Sequence, residues 1–395
     1  MTVLIAGAGI GGLTAALSLH AAGLDATVVE SAREIRPLGV GINLLPHAVR
    51  ELTELGLGDR LAALGVAGSE LVYCDRYGRR LFTEPRGIAQ GYRWPQYSVH
   101  RGELQMLLLD AVRERLGAGA VRTGMRLTGF EQEADGVRAR LLDRSNGDTE
   151  VVDADVLVGA DGLHSAVRAR LHPAGGPLLW SGVRMWRGTT EAPPFLTGRS
   201  MVIVRDGDVE MVAYPIGGNR INWVCLVRVS GPRPLAEEAG WNRTARAADV
   251  WPYVQDWSLG WLDVPRMVME TENVLVYPMA DREPLPLWRR GRATLLGDAA
   301  HPMYPVGANG ASQAVVDARV LAYELAASGD DVTGGLARYE EARRDATAAV
   351  VLANRRMSLA RGNTARELAG VTDAYRHTTG SDVEALNGRA SLTPA

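Results

Sequence analysis

The chain has 395 residues, 46% of them hydrophobic and 23% charged, the composition of a folded protein too long for one compact domain. A net charge of −3 gives no general reason to expect nucleic acid or an anionic membrane as a partner. No apolar run approaches a bilayer span and no basic leader precedes the first strand, so a cytoplasmic monomer or homodimer with no membrane partner is expected.

In chain order, the first segment reads as a strand over 2–6, a glycine turn, and a helix from about Ile10 to Ala22 with Gly23 just past its end. A second strand from Ala26 closes at Glu30. Helical periodicity returns at about 46–64 and from Arg101 to Leu116, and short strands follow to about residue 150. The run "DADVLVGADG" (153–162) is a short buried strand ending in a glycine-flanked acid, with a helix after it through Val167 to Leu171. From about 175 to 285 the texture changes to alternating runs such as "SMVIVRD" and "RINWVCLVRV", the pattern of an antiparallel sheet. Eight of the nine tryptophans fall between Trp180 and Trp288, which makes this region the natural place for a flat apolar ligand, although core packing accounts for most buried tryptophans. From "GRATLLGD" the chain returns to strand and helix, with a long amphipathic pattern over 336–360. Beyond Gly362 the polar tail has weak periodicity and reads as partly mobile. The expected organisation is a first lobe over 1–175, an inserted sheet lobe over 176–285, a return to the first lobe over 286–362, and a tail over 363–395.

Gly7-Ala8-Gly9-Ile10-Gly11-Gly12 matches G-x-G-x-x-G, a weak signal alone in a chain with 45 glycines. Its setting makes it strong, because it follows a strand, opens a helix, and is followed by a strand ending in the acid Glu30. Gly7 allows the tight turn, Gly9 the approach of a pyrophosphate to backbone N–H groups, and Gly12 the contact of helix against strand. Glu30 would accept from an adenosine ribose and repel a 2′-phosphate, so FAD or NAD, not NADP, is the expected tightly held cofactor. The fold class is then α/β: a three-layer, Rossmann-like nucleotide-binding lobe with a βαβ start, an inserted antiparallel-sheet substrate lobe, and C-terminal helices.

The two cysteines, Cys74 and Cys225, show no CxxC or Cys/His spacing, so no metal site is expected. There is no lysine, which excludes a pyridoxal Schiff base and a P-loop. His47 and His301 are tempting bases, but a lone histidine is more often structural.

Taken together, "GAGIGG…Glu30", "DVLVGADGLHSAVR" (155–168) and "LLGDAAHPMYPVGANGASQA" resemble the single-component FAD-dependent aromatic hydroxylases, the p-hydroxybenzoate and salicylate hydroxylase group. The resemblance implies bound FAD, NADH or NADPH as transient reductant, O2 as co-substrate, and hydroxylation of a small aromatic substrate through a flavin hydroperoxide. It places Gly7, Gly9, Ile10, Gly11, Gly12 and Glu30 at the adenosine end and Gly297 and Asp298 beside the ribityl chain. Pro305, Gly307, Asn309 and Gly310 fall at the flavin, where a helix N-terminus favours the negative charge of the reduced ring. Arg101, Asp161 and Gly162 are further cofactor candidates, and Arg33, Val40 and Gly41 weaker ones. "REIRPLGVGIN", "MWRG" and "YPVGANGASQA" are similar to the phenazine-modifying branch, the methylphenazine-carboxylate monooxygenases, which implies a tricyclic nitrogen heteroaromatic substrate and, in some members, loss of a carboxylate. Arg187, Tyr214 and Tyr304 are the candidate substrate contacts, Arg187 for a carboxylate. Another polycyclic or salicylate-like substrate stays open, as does a flavin-binding redox sensor without turnover. A halogenase of this scaffold would need a lysine and a W-x-W-x-I-P motif, and neither exists here.

Overall fold

Thr2–Ala6 pairs in parallel with Asp25–Glu30 on one side and Val156–Gly159 on the other. Ala293–Leu295 and Val121–Thr123 complete a five-stranded parallel sheet, so residues from both ends of the chain share one sheet. The computed structural model describes residues 1–235, 243–360 and 364–392. The strands of this sheet read as continuous apolar runs because both faces are covered. Helices Ile10–Ala21, Arg101–Leu116 and Asn309–Ala326 pack together on one face. A three-stranded antiparallel sheet, Met125–Gln132, Val137–Asp143 and Thr149–Ala154, covers the other. This is the three-layer α/β lobe of the expected fold class.

Among the described residues, the large sheet of the second lobe runs Arg243–Ala245, Val274–Asp281, Leu179–Glu191, Arg220–Arg228, Val209–Pro215, Ser200–Asp206, Glu70–Asp75 and Arg80–Pro85. Its last two strands come from residues ahead of the boundary expected at 176, and Glu70–Asp75 joins it in parallel beside Ser200–Asp206. Side-chain alternation splits the sheet into two faces. One carries Trp186, Val202, Val204, Met211, Trp223 and Cys225, buried with Val254, Val264 and Met267 from the short helices Trp251–Val254 and Val264–Met269 and with Trp257 between them. The tryptophan-rich pattern is therefore mostly core: Trp223 Nε1 donates to Thr271 Oγ1 at 2.9 Å, and Trp288 packs with Tyr339 and His301 in the first lobe. The opposite face of the sheet looks toward the first lobe.

Two elements differ from the sequence reading. The helical stretch over 46–64 is two helices, Pro46–Glu54 and Gly58–Leu64, because Gly56 takes φ +73° between them. The tail is helical as well: Ala365–Thr378 opens with a capping box from Thr364 and Glu367, and Val383–Gly388 follows. These residues are tied down from a distance. Arg50 donates to the carbonyls of Arg389 and Ala390, and Arg93 N donates to Asn387 Oδ1 at 2.9 Å. Local periodicity could not show this, since the anchors lie some three hundred residues upstream.

Candidate active site

The glycine loop is shaped by what each missing Cβ would meet. On Gly7, at φ +106°, it would lie 2.4 Å from the Ala160 carbonyl; on Gly12, 2.0 Å from the Gly7 carbonyl; on Gly11, 2.7 Å from the Leu296 side chain. Gly9 is different, with no protein atom within 4 Å of that position. Gly9 is also the N-cap of Ile10–Ala21, a helix with no capping side chain and no acid in its first turn, so its free N–H groups face outward. Ile10 is buried behind the loop. Glu30 turns back on it: Oε2 accepts from Ala8 N at 2.9 Å and Oε1 from Ala32 N at 2.7 Å. Gln105 holds the same loop from the helix Arg101–Leu116, donating to Ala8 O at 2.7 Å. The sequence reading passed over Gln105, although it stands four residues after Arg101 on one helix face.

Asp161 Oδ2 accepts from Ala166 N at 2.7 Å, capping the helix Ala166–Leu171, while Oδ1 is buried without a protein partner. Burial raises its carboxyl above the ordinary range. Gly162 beside it takes φ +75°. Arg168, in the same motif, donates to the carbonyls of Ala299 and Ala300, both at 3.0 Å, and so joins the second motif to the third. Gly297, at φ +62°, turns the chain so that Asp298 faces solvent inside a cleft, with Oδ1 4.0 Å from where a Cβ on Gly310 would stand. Crowding by protein raises the Asp298 carboxyl, against the positive fields of His301 and Arg101. Arg101 opens its helix, with N bonded to Val40 O at 2.9 Å and its side chain along Gly39. Arg33 is exposed and donates to the Arg144 carbonyl.

The loop after Asp298 rests on a buried polar relay. Asp317 accepts from His301 Nε2 at 2.5 Å, from Gly297 N at 3.2 Å and from Arg343 Nε at 2.7 Å. Burial pushes this carboxyl up, but His301 and Arg343 outweigh it and hold it below its ordinary value. Arg343 then reaches Gln313, Gln313 donates to Asn309 Oδ1 at 3.1 Å, and Asn309 Nδ2 donates to Gly307 O and to the Tyr375 hydroxyl. Tyr375, from the C-terminal helix, sits where a Cβ on Gly307 would stand, 2.1 Å from it. Nothing in the local sequence pattern marks it. Pro305 is exposed, and Ala308 at φ +60° begins the helix Asn309–Ala326 with neither a capping side chain nor an acid in the first turn.

Above this floor lies the inner face of the large sheet. Across adjacent strands in register stand Arg187, Val224, Val212 and Ile203, then one row on Asn222, Tyr214 and Met201. Val212, Val224 and Leu226 belong to central strands and yet are only half-buried, forming an apolar wall, while Met201 and Ile203 beside them pack with Leu71 and Tyr73 against Leu368 of the tail. The polar end of that wall is where the lobes touch. Arg187 donates to Gly41 O at 2.8 Å, Asn222 Oδ1 accepts from Gly41 N at 2.6 Å, and a Cβ on Gly41 would meet Asn222 at 2.6 Å. Burial pushes the Tyr214 phenol up to about 12, against the pull of the neighbouring Arg187, Asn222 and Asn43. Arg187 Nε is buried without a partner. Two of the three expected substrate residues, Arg187 and Tyr214, thus come together, with Asn43 and Asn222 added. Tyr304 lies apart, packed with Val183 and Met279, its carbonyl accepting from Asn354 Nδ2 at 2.9 Å. His47 lines a cavity beside Gly307; burial first, then Arg343, Arg389 and Arg50, lower its pKa to about 3, too weak for a base at neutral pH.

Residues 1–218 and 250–354 match the family described as FAD binding domain. The chain is 53% identical over 392 residues to phenazine 1,6-dicarboxylic acid hydroxylase of Lysobacter antibioticus, across 95% of this chain and 96% of that protein. It is 35% identical over 356 residues to 3-hydroxybenzoate 6-hydroxylase 1 of Aquipseudomonas alcaligenes, across 88% and 86%. Among solved structures, Klebsiella pneumoniae HpxO complexed with FAD and uric acid is similar with a TM-score of 0.77 at 26% identity, across 98% of this chain and 95% of that one.

Proposed function

This chain belongs to the FAD binding domain family and is a flavoprotein aromatic monooxygenase with FAD as cofactor; from that premise we propose that it hydroxylates a phenazine carboxylate at the expense of NADH or NADPH. The residues present fit the cofactor. Gly9 leaves the space before it clear of protein, two helix N-termini lack side-chain caps, and Asp161 Oδ1 is a buried acceptor without a protein partner. In this reading the loop Gly7–Gly12 and Glu30 hold the adenosine and pyrophosphate, and Asp298 the ribityl hydroxyls. Val40, Gly41, Arg101, Pro305, Gly307, Asn309 and Gly310 surround the ring, with Arg33, Asp161, Gly162 and Gly297 shaping the loops around it.

The chemistry that bound FAD supplies is passage of an electron pair from the nicotinamide to O2, so that one oxygen atom enters the substrate ring and the other leaves as water. The protein's own part is placement and dryness. Val212, Val224 and Leu226 would lie flat against an aromatic face and keep water from it. Tyr214, neutral at physiological pH with its phenol near 12, donates to a ring nitrogen or carboxylate, and Arg187 supplies positive charge from its free Nε. The observation that carries the substrate reading is this apolar wall of half-buried central-strand side chains ending in Arg187 and Tyr214, in a chain 53% identical to a phenazine dicarboxylate hydroxylase.

The test is NADH and NADPH oxidation by the yellow protein with phenazine-1-carboxylate and phenazine-1,6-dicarboxylate. Acceleration by the phenazine, with a product carrying one added oxygen, supports the reading, and product mass shows whether the hydroxyl replaces a hydrogen or a carboxyl. Flavin reduction indifferent to every phenazine would refute it.

A further inference from the structure

The apolar wall of the large sheet has a second polar end. By register, Leu226 faces Met185 on one neighbouring strand and Glu210 on the other, and Glu210 faces Arg205 on the strand beyond. Alternate residues of a strand share a face, so Glu210 stands on the face of Val212, with Val212 beside it along the strand and Leu226 across it. Met211 between them points the other way, into the core of the second lobe. The row Met185, Leu226, Glu210 flanks the row Arg187, Val224, Val212 on one side, and Asn222 and Tyr214 flank it on the other. Leu226 also packs, with Val306 from the loop after Asp298, on the cluster of Val183, Met279 and Tyr304. Glu210 therefore borders the half-buried part of the wall directly.

The two ends differ in charge. Arg187 donates to a carbonyl, that of Gly41, and keeps Nε buried without a partner, so its positive charge meets no acid among the described residues. Glu210 Oε2 accepts from Arg205 Nε at 2.6 Å, and that guanidinium lies 5.4 Å from the centre of the Tyr73 ring. In strand order Leu226, Glu210, Arg205, the carboxylate stands between the wall and the cation. The pair keeps 25% and 28% of its side chains exposed, and an ion pair so open to water adds little to stability. Its effect is felt instead by whatever lies on Val212 and Leu226, because an apolar surface screens a neighbouring charge less than water does.

We propose that Glu210 is a specificity-determining residue that turns a carboxylate away from its end of the wall, so that the aromatic substrate lies with its one carboxylate at Arg187 and Tyr214. This deepens the phenazine-carboxylate reading above and rests on it. A ring placed the other way round would bring its charge to Glu210 and leave Arg187 without a partner, a like-charge contact at one end and a lost ion pair at the other. A dicarboxylate that satisfies Arg187 brings its second charge toward Glu210. The preference expected of this chain is therefore for a monocarboxylate, unlike the dicarboxylate named for its Lysobacter antibioticus relative.

The test titrates the FAD-loaded protein with phenazine-1-carboxylate, phenazine-1,6-dicarboxylate and uncharged phenazine, each followed by the flavin absorbance spectrum. Wild type binds the monocarboxylate roughly 5- to 20-fold more tightly than the dicarboxylate. Glu210→Gln, of the same shape without the charge, tightens the dicarboxylate until the two acids differ by about threefold or less, and leaves phenazine unchanged. Arg205→Met removes the cation that offsets Glu210 and widens the gap by roughly 3- to 10-fold. A merely structural pair is lost in both variants and would not give changes of opposite sign. Flavin content equal to wild type shows that the variants fold. A wild type that prefers the dicarboxylate, a ratio unaltered in Glu210→Gln, a gap that Arg205→Met narrows, or one common shift for all three probes overturns the proposal. Selection through Glu210 without turnover of any phenazine would sink the proposed reaction and leave Glu210 standing. Turnover with an unaltered ratio in Glu210→Gln does the reverse, and a protein that binds none of the probes overturns both.

Discussion

The glycine loop after the first strand and the sheet face around Tyr214 differ in what they are made of: one is built of backbone and the other of side chains. In the loop, Gly7, Gly11 and Gly12 are each excluded from bearing a Cβ by neighbouring protein, and Gly9 alone opens outward. At the sheet, Arg187, Tyr214 and Asn222 come from three strands and meet Gly41 from the other lobe. A site made of backbone recognises what every member of a cofactor class shares, phosphate and sugar. A site made of side chains can change its ligand by single substitutions, as the proposed substrate face could.

Substitutions in the two regions should break in different ways. The largest effects are expected in the loop: Gly12→Ala forces a Cβ to 2.0 Å from the Gly7 carbonyl and should yield little soluble yellow protein. Gly9→Ala meets no protein atom within 4 Å, so the apoprotein should melt as wild type while flavin affinity falls. A Gly9→Ala protein with unchanged flavin content would show that the loop does not face the pyrophosphate. Asp317→Asn, beneath the loop, should cost about 3–5 kcal/mol in denaturant unfolding by leaving Arg343 and His301 without their shared buried partner.

A smaller, pH-dependent effect is expected at His47. Its pKa is about 3 in the fold against an ordinary 6.5, so the unfolded chain takes up a proton as pH falls below 6.5 while the folded one does not until about 3. The stability of the neutral buried ring is therefore full above pH 6.5 and lost toward pH 3, at up to about 1.4 kcal/mol per pH unit. His47→Gln should flatten that acid limb in unfolding measurements, leaving the contributions of His100 and His172, which burial lowers in the same direction. An unchanged slope would mean that the ring is hydrated. At the sheet, Tyr214→Phe should lower kcat/KM for a phenazine carboxylate by about tenfold with flavin content unchanged, the loss of one hydrogen bond to a charged or ring-nitrogen partner. Smallest of all, Tyr375→Phe removes the hydroxyl shared by Asn309 and Asn354 and should weaken flavin affinity by about 1 kcal/mol, read by fluorescence titration.

The same contrast explains how much could be read before the fold was known. Gly7 to Gly12 with Glu30 was legible because strand, turn, helix and acid follow one another within thirty residues, although of the steric demands on its glycines only that of Gly12 on Gly7 is local. The helix Arg101–Leu116 was legible from periodicity alone. Gly41 was legible only through resemblance, since its close approach is to Asn222, 181 residues away. The tryptophans were read as mostly core and are so, but while alternation put Trp186 and Arg187 on opposite faces, only the packing of the segment 251–269 decided which face became core. Arg168 lay inside a recognised motif, yet its partners, the carbonyls of Ala299 and Ala300, belong to another.

By itself, the sequence determined the α/β class and the glycine turn of the first strand and helix, because these follow from steric and hydrogen-bonding rules that act over a few residues, whereas the third motif was read only through its resemblance to a family. Only the tertiary structure decided that Arg187 and Tyr214 come together beside Gly41, and that the polar tail is helical with Tyr375 seated on Gly307. Those outcomes depend on burial and on contacts between residues far apart in the chain, 146 positions for Arg187 with Gly41 and 66 for Asn309 with Tyr375, and no local pattern encodes a side chain's partner across that distance.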